Sequence, residues 1–424
     1  MIKKTNRKKV VHCNLNELCT SVVFNPDIVV LVHAPKSCSN IIFNGITNMR
    51  QRINLRFNKK LPPAIDNIFV TGISDKEAIF GGEKLLKNSI ELLVNEKKPK
   101  CLLVVSGCTA GVIGDDVSTI CEDLSSKYKI PITHIPGAGF MSVQNKEGLI
   151  LATEYLYKLV ADNTETKDEK LAVLVGLNKY VQTSQQEAEL RRLFEYFGFT
   201  KILMPPCGMS MDELKQINRA SLIAVHALTK EKLLMNQKFG RYLSDYLGVP
   251  LIENRLPFSR VELHKYLKKL GIVCNNSCLA EKAIEAEEKR WLEGCSVLKK
   301  EMLGISYILS IGHSFRVTDP FQIIRCMDAV GMTLEKIIYL DNLTDKDILE
   351  YEKLVVDKNI SVTREKEQNY NSSDSNILVI TSDYRTIFKR QYCYKRKRIG
   401  VGGALNLIEG VHDLITNGGT LKYE

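Results

Sequence analysis

The stretch Cys101-Leu-Leu-Val-Val-Ser-Gly-Cys108-Thr-Ala-Gly-Val-Ile-Gly-Asp-Asp116 joins an apolar run to a glycine-rich turn and a helix-like segment. A short apolar run of this kind is typical of a strand that is buried on both faces of a parallel sheet. The stretch therefore predicts one strand–turn–helix unit with Cys108 in the turn. A thiol there can be an inert small hydrophobe, a nucleophile, or a ligand for a metal or an iron–sulfur cluster.

The same alternation of short apolar runs and helical segments continues from one end of the chain to the other, which favours an α/β fold with parallel sheets flanked by helices. The capping-box patterns at Ser184 and Ser210 mark two helix starts. The candidate strands form three blocks: 27–33, 67–72 and 100–106; 171–177, 200–204, 221–225 and 250–252; and 306–311, 336–340 and 377–381.

Two segments set the expected domain boundaries. The polar stretch 161–170 has the composition of a linker, and a long charged helix over 280–293, followed by Gly294, is expected to bridge the second and third blocks. We therefore expect an N-terminal domain at 1–165 that carries the important cysteines, a second at 166–300 and a third at 301–424. A polar, turn-rich stretch at 365–376 is expected to be a mobile loop.

Composition excludes several classes of protein. The chain has 424 residues, of which 44% are hydrophobic and 25% charged, and no apolar run approaches the roughly 18 residues that span a bilayer. We therefore expect a cytoplasmic protein that binds no membrane. The net charge of +10 is spread widely apart from the cluster Lys395–Arg398, which favours a solvated rim or a dock for an acidic protein over nucleic acid.

The cysteine content and the nucleotide-binding motifs further restrict the possible classes of protein. Twelve cysteines without a secretion signal argue for reduced thiols, which are available as metal ligands. Neither GxGxxG nor GxxxxGK[ST] occurs, and the turn Gly400-Val-Gly-Gly403 matches a dinucleotide site poorly. A dehydrogenase or a P-loop ATPase is therefore not expected.

Three cysteines lie near strand ends, where open α/β sheets bind their ligands. Cys38 follows the first strand, with a helix beginning near Ser39; Cys108 occupies the matching place after the third; and Cys13 precedes the first strand by a short loop. Thiolates are soft ligands, and Gly107, Gly111 and Gly114 would let backbone approach a bulky cluster. On residues alone, a shared iron–sulfur site and three buried free thiols both remain open.

These stretches resemble the nitrogenase component 1 family. The resemblance is carried by His33–Cys38, Phe80–Leu85, Cys108–Asp116 and Ile135–Phe140, and more faintly by Ala220–His226, Ile311–His313 and Gly402–Gly410. The family includes catalytic nitrogenase subunits, the scaffold subunits that build their cofactor, and related reductases.

The resemblance implies three Rossmann-like domains and a homologous sister subunit, in a homo- or hetero-oligomer. It also implies an interface iron–sulfur cluster on Cys13, Cys38 and Cys108, either a [4Fe-4S] cluster with its fourth ligand on the partner or half of a larger shared cluster. Electrons in such systems come from an ATP-hydrolysing Fe protein, which agrees with the missing P-loop. Cys19 is near enough to Cys13 to compete as a ligand.

The sequence departs from the catalytic members at the places where they hold their active cofactor. Ala227 stands where their second-domain cysteine is expected, and 396–403 contains no histidine. Two functions remain: a reductase subunit, which the sequence favours slightly, and an assembly scaffold without substrate turnover. His226, His313 and Arg316 are candidate cofactor-binding residues for either, although histidines at strand ends also cap backbone carbonyls.

Two other interpretations stay open. Cys274 and Cys278 in CysAsnAsnSerCys suggest a metal, but no second pair follows, and Cys101 and Cys121 are expected in the core. A metal-free α/β binding protein of periplasmic type is the alternative from a different class; it would usually carry a signal peptide, and this chain is expected to have none.

Overall fold

The structure is a computed structural model, and it describes most of the chain. No described helix is both long enough and apolar enough to cross a membrane. The described residues are 13–57, 66–136, 148–180, 184–227, 230–258, 260–312, 320–340, 343–345, 348–349, 351–352, 360–364, 377–381, 388–394, 398–417 and 421–423.

The described residues form three parallel sheets flanked by helices, as expected for the α/β class. By its internal contacts the chain divides into two compact units. The first unit contains 1–184 and 198–255, and the second contains 185–197 and 256–424. The expected boundaries at 165 and 300 remain a prediction, because this division follows contacts and not the three sheets.

The first sheet has the strand order β2-β1-β3-β4, with every neighbouring pair parallel. Its two central strands are buried along their whole length, because the helices that connect them cover both faces. Its elements are α1 (Asn14–Val22), β1 (Ile28–His33), α2 (Lys36–Phe57), β2 (Ile68–Val70), α3 (Asp75–Phe80), α4 (Glu83–Lys97), β3 (Cys101–Ser106), α5 (Cys108–Ile113), α6 (Val117–Tyr128), β4 (Ile132–Ile135) and α7 (Gly148–Lys158).

The second sheet has the order β6-β5-β7-β8, and its strands belong to the first compact unit. The Ser210 capping box is confirmed: its hydroxyl accepts from the Glu213 N–H, and the Glu213 carboxylate accepts from the Ser210 N–H. The elements are β5 (Leu171–Val175), α8 (Ser184–Glu195), β6 (Lys201–Leu203), α9 (Met211–Lys215), β7 (Leu222–Ala227), α10 (Lys230–Leu247) and β8 (Leu251–Arg255).

The third sheet has six strands in the order β11-β10-β9-β12-β13-β14 and belongs to the second unit. The elements of this part are α11 (Arg260–Val273), α12 (Ser277–Met302), β9 (Ser306–Ile311), α13 (Pro320–Ala329), β10 (Thr333–Tyr339), β11 (Ser361–Arg364), β12 (Leu378–Thr381), β13 (Arg390–Cys393), α14 (Gly400–Thr416) and β14 (Leu421–Tyr423).

Buried ion pairs join α8, α12 and α14 within the second unit. The Glu189 carboxylate, 4% exposed, accepts from Arg290 (2.8 Å), Arg192 (2.6 Å) and the Gly402 amide (3.0 Å). Charge-assisted bonds of this kind satisfy a carboxylate that burial would otherwise destabilise. Glu189 therefore fixes the start of α14 against two other helices.

Several local expectations are wrong. Cys13 does not precede β1 by a short loop, because the whole of α1 lies between them. Gly400 begins a buried helix and not a turn. The charged helix does not end before Gly294 but continues to Met302; a Cβ on Gly294 would lie 2.6 Å from Leu405, so glycine permits close packing of α12 on α14. Strands β4, β11, β13 and β14 were not expected. The predicted loop at 365–376 lies outside the described residues.

Candidate metal centre

The three candidate cysteines lie at the starts of three different helices of the first unit. Cys13 immediately precedes α1, Cys38 lies in the first turn of α2, and Cys108 is the first residue of α5. β1 and β3 pair in register from Ile28–Cys101 to His33–Ser106, so the loops that carry Cys38 and Cys108 leave the same edge of the sheet. All three side chains are partly exposed.

The three thiols lie within electrostatic range of one another. Burial raises the pKa of Cys38, and the nearby Cys13 and Cys108 thiols raise it further. Burial is also the main cause that raises the pKa of Cys13; the Leu15 amide at the start of α1 opposes it, and Cys108 adds to it. Residues up to 95 positions apart in the sequence therefore share one electrostatic environment.

The arrangement differs from a site for a single metal ion. Within the described part of the chain, no three His, Cys, Asp or Glu side chains come close enough to hold one ion. In an iron–sulfur cubane each cysteine binds a different iron atom, so the ligand sulfurs stand further apart than the ligands of one ion. Three partly exposed thiols from three helix starts suit a cluster better than they suit zinc.

The competing cysteines are placed differently. Cys19 is fully buried in the core of the first unit, and burial raises the pKa of its thiol to about 12. Cys101 and Cys121 are also core residues, as expected. Cys274 follows α11, and Cys278 is exposed in the first turn of α12. Cys13 is thus the more accessible of the two thiols.

The glycines of the Cys108 turn have separate roles. A Cβ on Gly107 would lie 2.8 Å from the Ala34 side chain, so glycine allows the turns after β1 and β3 to approach closely. Gly114 ends α5 with a φ of +79°, which a residue with a side chain adopts only at a cost. A Cβ on Gly111 would meet nothing within 4 Å, so open space lies beside this helix.

Hydrogen bonds join two of the motifs that carry the family resemblance, Phe80–Leu85 and Cys108–Asp116. The Asp115 carboxylate accepts a hydrogen bond from the Gly82 amide (2.8 Å), and the Asp116 amide donates to the Glu83 carboxylate (3.1 Å). A Cβ on Gly82 would lie 2.6 Å from the Asp115 carboxylate. The GlyGlyGlu turn that begins α4 is therefore joined to the GlyAspAsp turn that follows Cys108 and α5.

A buried histidine extends this connection to two more strands. His33, the last residue of β1, lies 2.9 Å from Asp115 through Nε2 and 3.0 Å from the Thr71 hydroxyl through Nδ1. The His33 and Asp115 side chains are 0% and 2% exposed. Burial lowers the pKa of His33, and the contact with Asp115 partly offsets this.

An exposed apolar patch lies beside the Cys108 helix. Ile79 and Phe80 at the end of α3 are 73% and 81% exposed, and Val112 on α5 is 69% exposed. α3 contacts α5, and the exposed apolar side chains of these two helices are named here the α3–α5 patch. Exposed clusters of large apolar side chains commonly mark protein contacts.

Of the candidate cofactor-binding residues, the structure describes His226 but not His313 or Arg316. His226 lies near the end of β7 with 0% exposure, and burial lowers its pKa to about 3. Ala227 follows it, 2% exposed, with no ligand atom in its side chain. His313 and Arg316 lie outside the described residues, as do the last four residues of Ile135–Phe140. The role of His226 therefore remains a prediction.

Sequence reasoning missed three residues of this region: His33, Asp115 and Thr71. The first two were present in the quoted motifs, but a histidine at the end of an apolar strand gives no sign of its partner 82 residues later. The co-occurrence of a strand-terminal histidine, a GlyGly turn and a GlyAspAsp turn is the signal that could have indicated a buried connection.

A family comparison agrees with this fold and these motifs. Residues 18–393 match the model of the nitrogenase component 1 type oxidoreductases, so the chain belongs to that family.

The similar curated proteins include cofactor-biosynthesis proteins and a nitrogenase subunit. The chain is 31% identical over 304 residues to the nitrogenase iron-molybdenum cofactor biosynthesis protein NifE of Clostridium pasteurianum, covering 70% of this chain and 62% of the relative's length. It is 23% identical to the NifE of Rippkaea orientalis, covering 82% of this chain and 71% of the relative. It is 24% identical to the nitrogenase molybdenum-iron protein alpha chain of Methanosarcina barkeri, covering 69% of this chain and 54% of the relative.

A solved structure has the same fold. Nitrogenase Cp1 at pH 6.5 superposes with a TM-score of 0.58 at 15% identity, covering 96% of this chain and 89% of that one.

Proposed function

We propose that this protein is a scaffold subunit on which an iron–sulfur cofactor of the nitrogenase type is assembled, without turnover of a small substrate. The observation that supports the proposal is that Cys13, Cys38 and Cys108, at the starts of three helices of one unit, are partly exposed and within electrostatic range of one another. The curated relatives named NifE support assembly over catalysis. Membership of the family implies a metal–sulfur cluster, for which these thiols supply the donor atoms.

The donor set fits such a cluster. Thiolates are the ligands that iron–sulfur clusters use, and the Leu15 amide beside Cys13 partly offsets the rise in pKa that burial causes. The chain's own residues would hold the cluster at an edge of the subunit and limit its exposure to water. A cubane uses four protein ligands, so the fourth would come from a homologous sister subunit, or the three would hold half of a larger shared cluster.

Ala227 and the segment 396–403 support the choice of scaffold over catalyst. Catalytic family members hold their active cofactor with a cysteine and a histidine at those places, whereas Ala227 has no ligand atom and 396–403 has no histidine. A precursor must leave its scaffold, and a site without these two strong ligands would hold it loosely enough for transfer.

A reductase subunit is the second candidate, and the α3–α5 patch is the observation that favours it. Phe80, Ile79 and Val112 present an apolar surface beside Cys108, suited to the transient docking of an electron-donating Fe protein that hydrolyses ATP. In that case the cluster would pass electrons onward. The patch also suits a scaffold that exchanges electrons or cargo with a partner.

Anaerobic co-expression with a sister subunit tests whether a cluster is bound. We expect a brown complex with stoichiometric iron and sulfide. Cys108→Ala should lose most of the iron while the circular dichroism stays unchanged, and Cys278→Ala, which removes an exposed thiol of the second unit, should retain it. A colourless wild-type complex, or full iron content in Cys108→Ala, contradicts the proposal.

The two candidates differ in what the loaded complex does. A scaffold releases its cluster to an acceptor protein, followed by transfer of radioactive iron, without consuming a substrate. A reductase oxidises the Fe protein repeatedly with ATP hydrolysis and turnover of an added substrate. Phe80→Ser should weaken Fe-protein binding without loss of iron, and the exposed Leu292→Ser on α12 is the matched control.

A further inference from the structure

We propose that His33, Asp115 and Gly82 form a buried connector that holds the Cys38 and Cys108 loops in their ligand-presenting positions before any cluster binds. This inference rests on the proposed cluster site. It assigns a positioning role, not a ligand role, to residues that contact no iron in the proposal.

The connector joins the loops that follow three parallel strands. His33 ends β1, five residues before Cys38; Thr71 follows β2; and Asp115 follows the short helix α5 that Cys108 begins after β3. The bonds run from Thr71 through His33 to Asp115 and on to the Gly82 amide, with distances of 3.0, 2.9 and 2.8 Å.

A direct backbone contact supports the same pair of loops. The Gly107 amide donates to the His33 carbonyl (2.9 Å), and the absent Cβ of Gly107 admits the Ala34 side chain. Displacement of the segment after β1 would thus break the hydrogen bond between the His33 carbonyl and the Gly107 amide, and Gly107 directly precedes Cys108. The two ligand-bearing loops are mechanically joined through His33 and its neighbour.

The hydrogen-bond pattern defines the proton positions. The Asp115 carboxylate accepts from the Gly82 amide with one oxygen, so its other oxygen accepts from His33 Nε2–H. His33 Nδ1 can then accept from the Thr71 hydroxyl at 3.0 Å, and the Ala34 carbonyl at 3.4 Å is the alternative acceptor for that hydroxyl, which itself accepts from the Ala34 amide (3.2 Å). In the hydrogen-bond series Thr71–His33–Asp115–Gly82, each polar atom that takes part has a partner, as a buried network requires.

This hydrogen-bond pattern predicts different effects for Asp115→Asn and Asp115→Ala. In Asp115→Asn, the amide oxygen can still accept from Gly82 while its NH2 donates to His33 Nε2, provided that the imidazole moves its proton to Nδ1 and donates to Thr71. Asp115→Ala leaves both His33 and the Gly82 amide without that partner. A positioning role therefore predicts rescue by Asn and failure of Ala.

The test uses the full-length, metal-free protein, so it does not require a cluster. Hydrogen–deuterium exchange should be about tenfold faster in the peptides around 33–38 and 107–116 in Asp115→Ala, the size expected for loss of one buried hydrogen bond. The alkylation rates of Cys38 and Cys108 should rise together. Asp115→Asn should stay near wild type, and so should Asp162→Ala, which removes an exposed loop carboxylate of the same unit that accepts from Thr164.

Three outcomes decide the inference. Selective loosening of the two cysteine loops with rescue by Asn supports it. Equal acceleration in a remote peptide such as 222–227 shows only a global loss of stability and overturns it, as does unchanged exchange in 107–116. Global stability is measured in parallel by thermal unfolding, so that a misfolded Ala variant is recognised, and His33→Gln gives a second variant at the other end of the bond.

A spectroscopic measurement separates this inference from the proposed function. After anaerobic reconstitution with iron and sulfide, Asp115→Ala should bind less iron or show an altered electron paramagnetic resonance spectrum, with Asn near wild type. If the wild type binds no iron, the cluster proposal fails while the exchange data still decide whether the connector orders the loops. If iron binds normally in Ala with an unchanged spectrum, the connector fails and the cluster proposal stands.

Discussion

Asn25 and Gly208 are 183 residues apart in the chain, and the Gly208 amide donates a 2.9 Å hydrogen bond to the Asn25 side-chain oxygen. The Asn25 side chain, 0% exposed, also donates to the Pro206 carbonyl (2.8 Å). One amide therefore joins the loop that precedes β1 of the first sheet to the loop that follows β6 of the second. Both loops belong to the first compact unit.

Asn25→Ala should lower the free energy of unfolding of the first unit by about 3 kcal/mol, because it leaves a buried amide and a buried carbonyl without partners. Chemical denaturation of the metal-free protein measures the change. Asn178→Ala is the control, since Asn178 makes only a local bond to the Tyr180 amide among the contacts described for it; its cost should stay below about 1 kcal/mol. Equal effects would contradict the bridging role of Asn25.

Alkylation of the native, metal-free protein should distinguish Cys13 from Cys19. Cys13, Cys38 and Cys108 are partly exposed, whereas Cys19 is fully buried with its pKa raised to about 12 by burial. Iodoacetamide should label the three accessible cysteines, with Cys13 and Cys38 slowed because burial raises their pKa, and should leave Cys19 unmodified until the protein unfolds. Mass spectrometry of the peptides reads this out, and rapid labelling of Cys19 would count against the assignment of Cys13.

Acid should destabilise the first unit partly through His226. Burial lowers its folded pKa to about 3 from an ordinary value of 6.5, so the unfolded chain takes up the proton first as pH falls. Its contribution to stability is present above pH 6.5 and is lost below it by about 1.4 kcal/mol per pH unit until the folded pKa is reached. Denaturation between pH 7 and pH 4.5 measures the slope.

His226→Gln should flatten this pH dependence even if its stability at pH 7 is lower, because glutamine does not titrate. His412→Gln is the matched control: His412 contacts Glu301 at 2.7 Å on the surface, and its removal should leave the slope of the first unit unchanged. An identical slope in wild type and His226→Gln would contradict the lowered pKa, because it would show that His226 has the same pKa in the folded and unfolded states.

Gly402→Ala should destabilise the second unit by about 2–4 kcal/mol, since the new Cβ would lie 2.2 Å from a buried Glu189 oxygen and 2.7 Å from Arg290. Gly111→Ala is the contrasting variant: nothing lies within 4 Å of its Cβ, so alanine should stabilise the metal-free helix by about 0.5 kcal/mol or more. Thermal unfolding compares them, and a neutral Gly402→Ala would mean that the Glu189 cluster is mobile.

The sequence predicted the α/β class and ten of the strands because buried parallel strands read as continuous apolar runs, such as those ending at His33 and Ser106. Four strands were missed. β4 and β11 contain several partly exposed or polar residues, so their alternation is weak. The helix between Cys13 and β1 was missed because its first turn, Asn14-Leu-Asn-Glu17, gives little apolar periodicity.

By itself, then, the sequence determined the fold class, the motifs of the family and the identity of the thiols, since local composition and spacing encode all three. Only the tertiary structure decided that Cys13, Cys38 and Cys108 lie within electrostatic range of one another while Cys19 is in the core, and that His33 meets Asp115. Parallel strand pairing brings residues from distant positions to one edge of a sheet, and which side chains then meet depends on register and packing that no local stretch encodes.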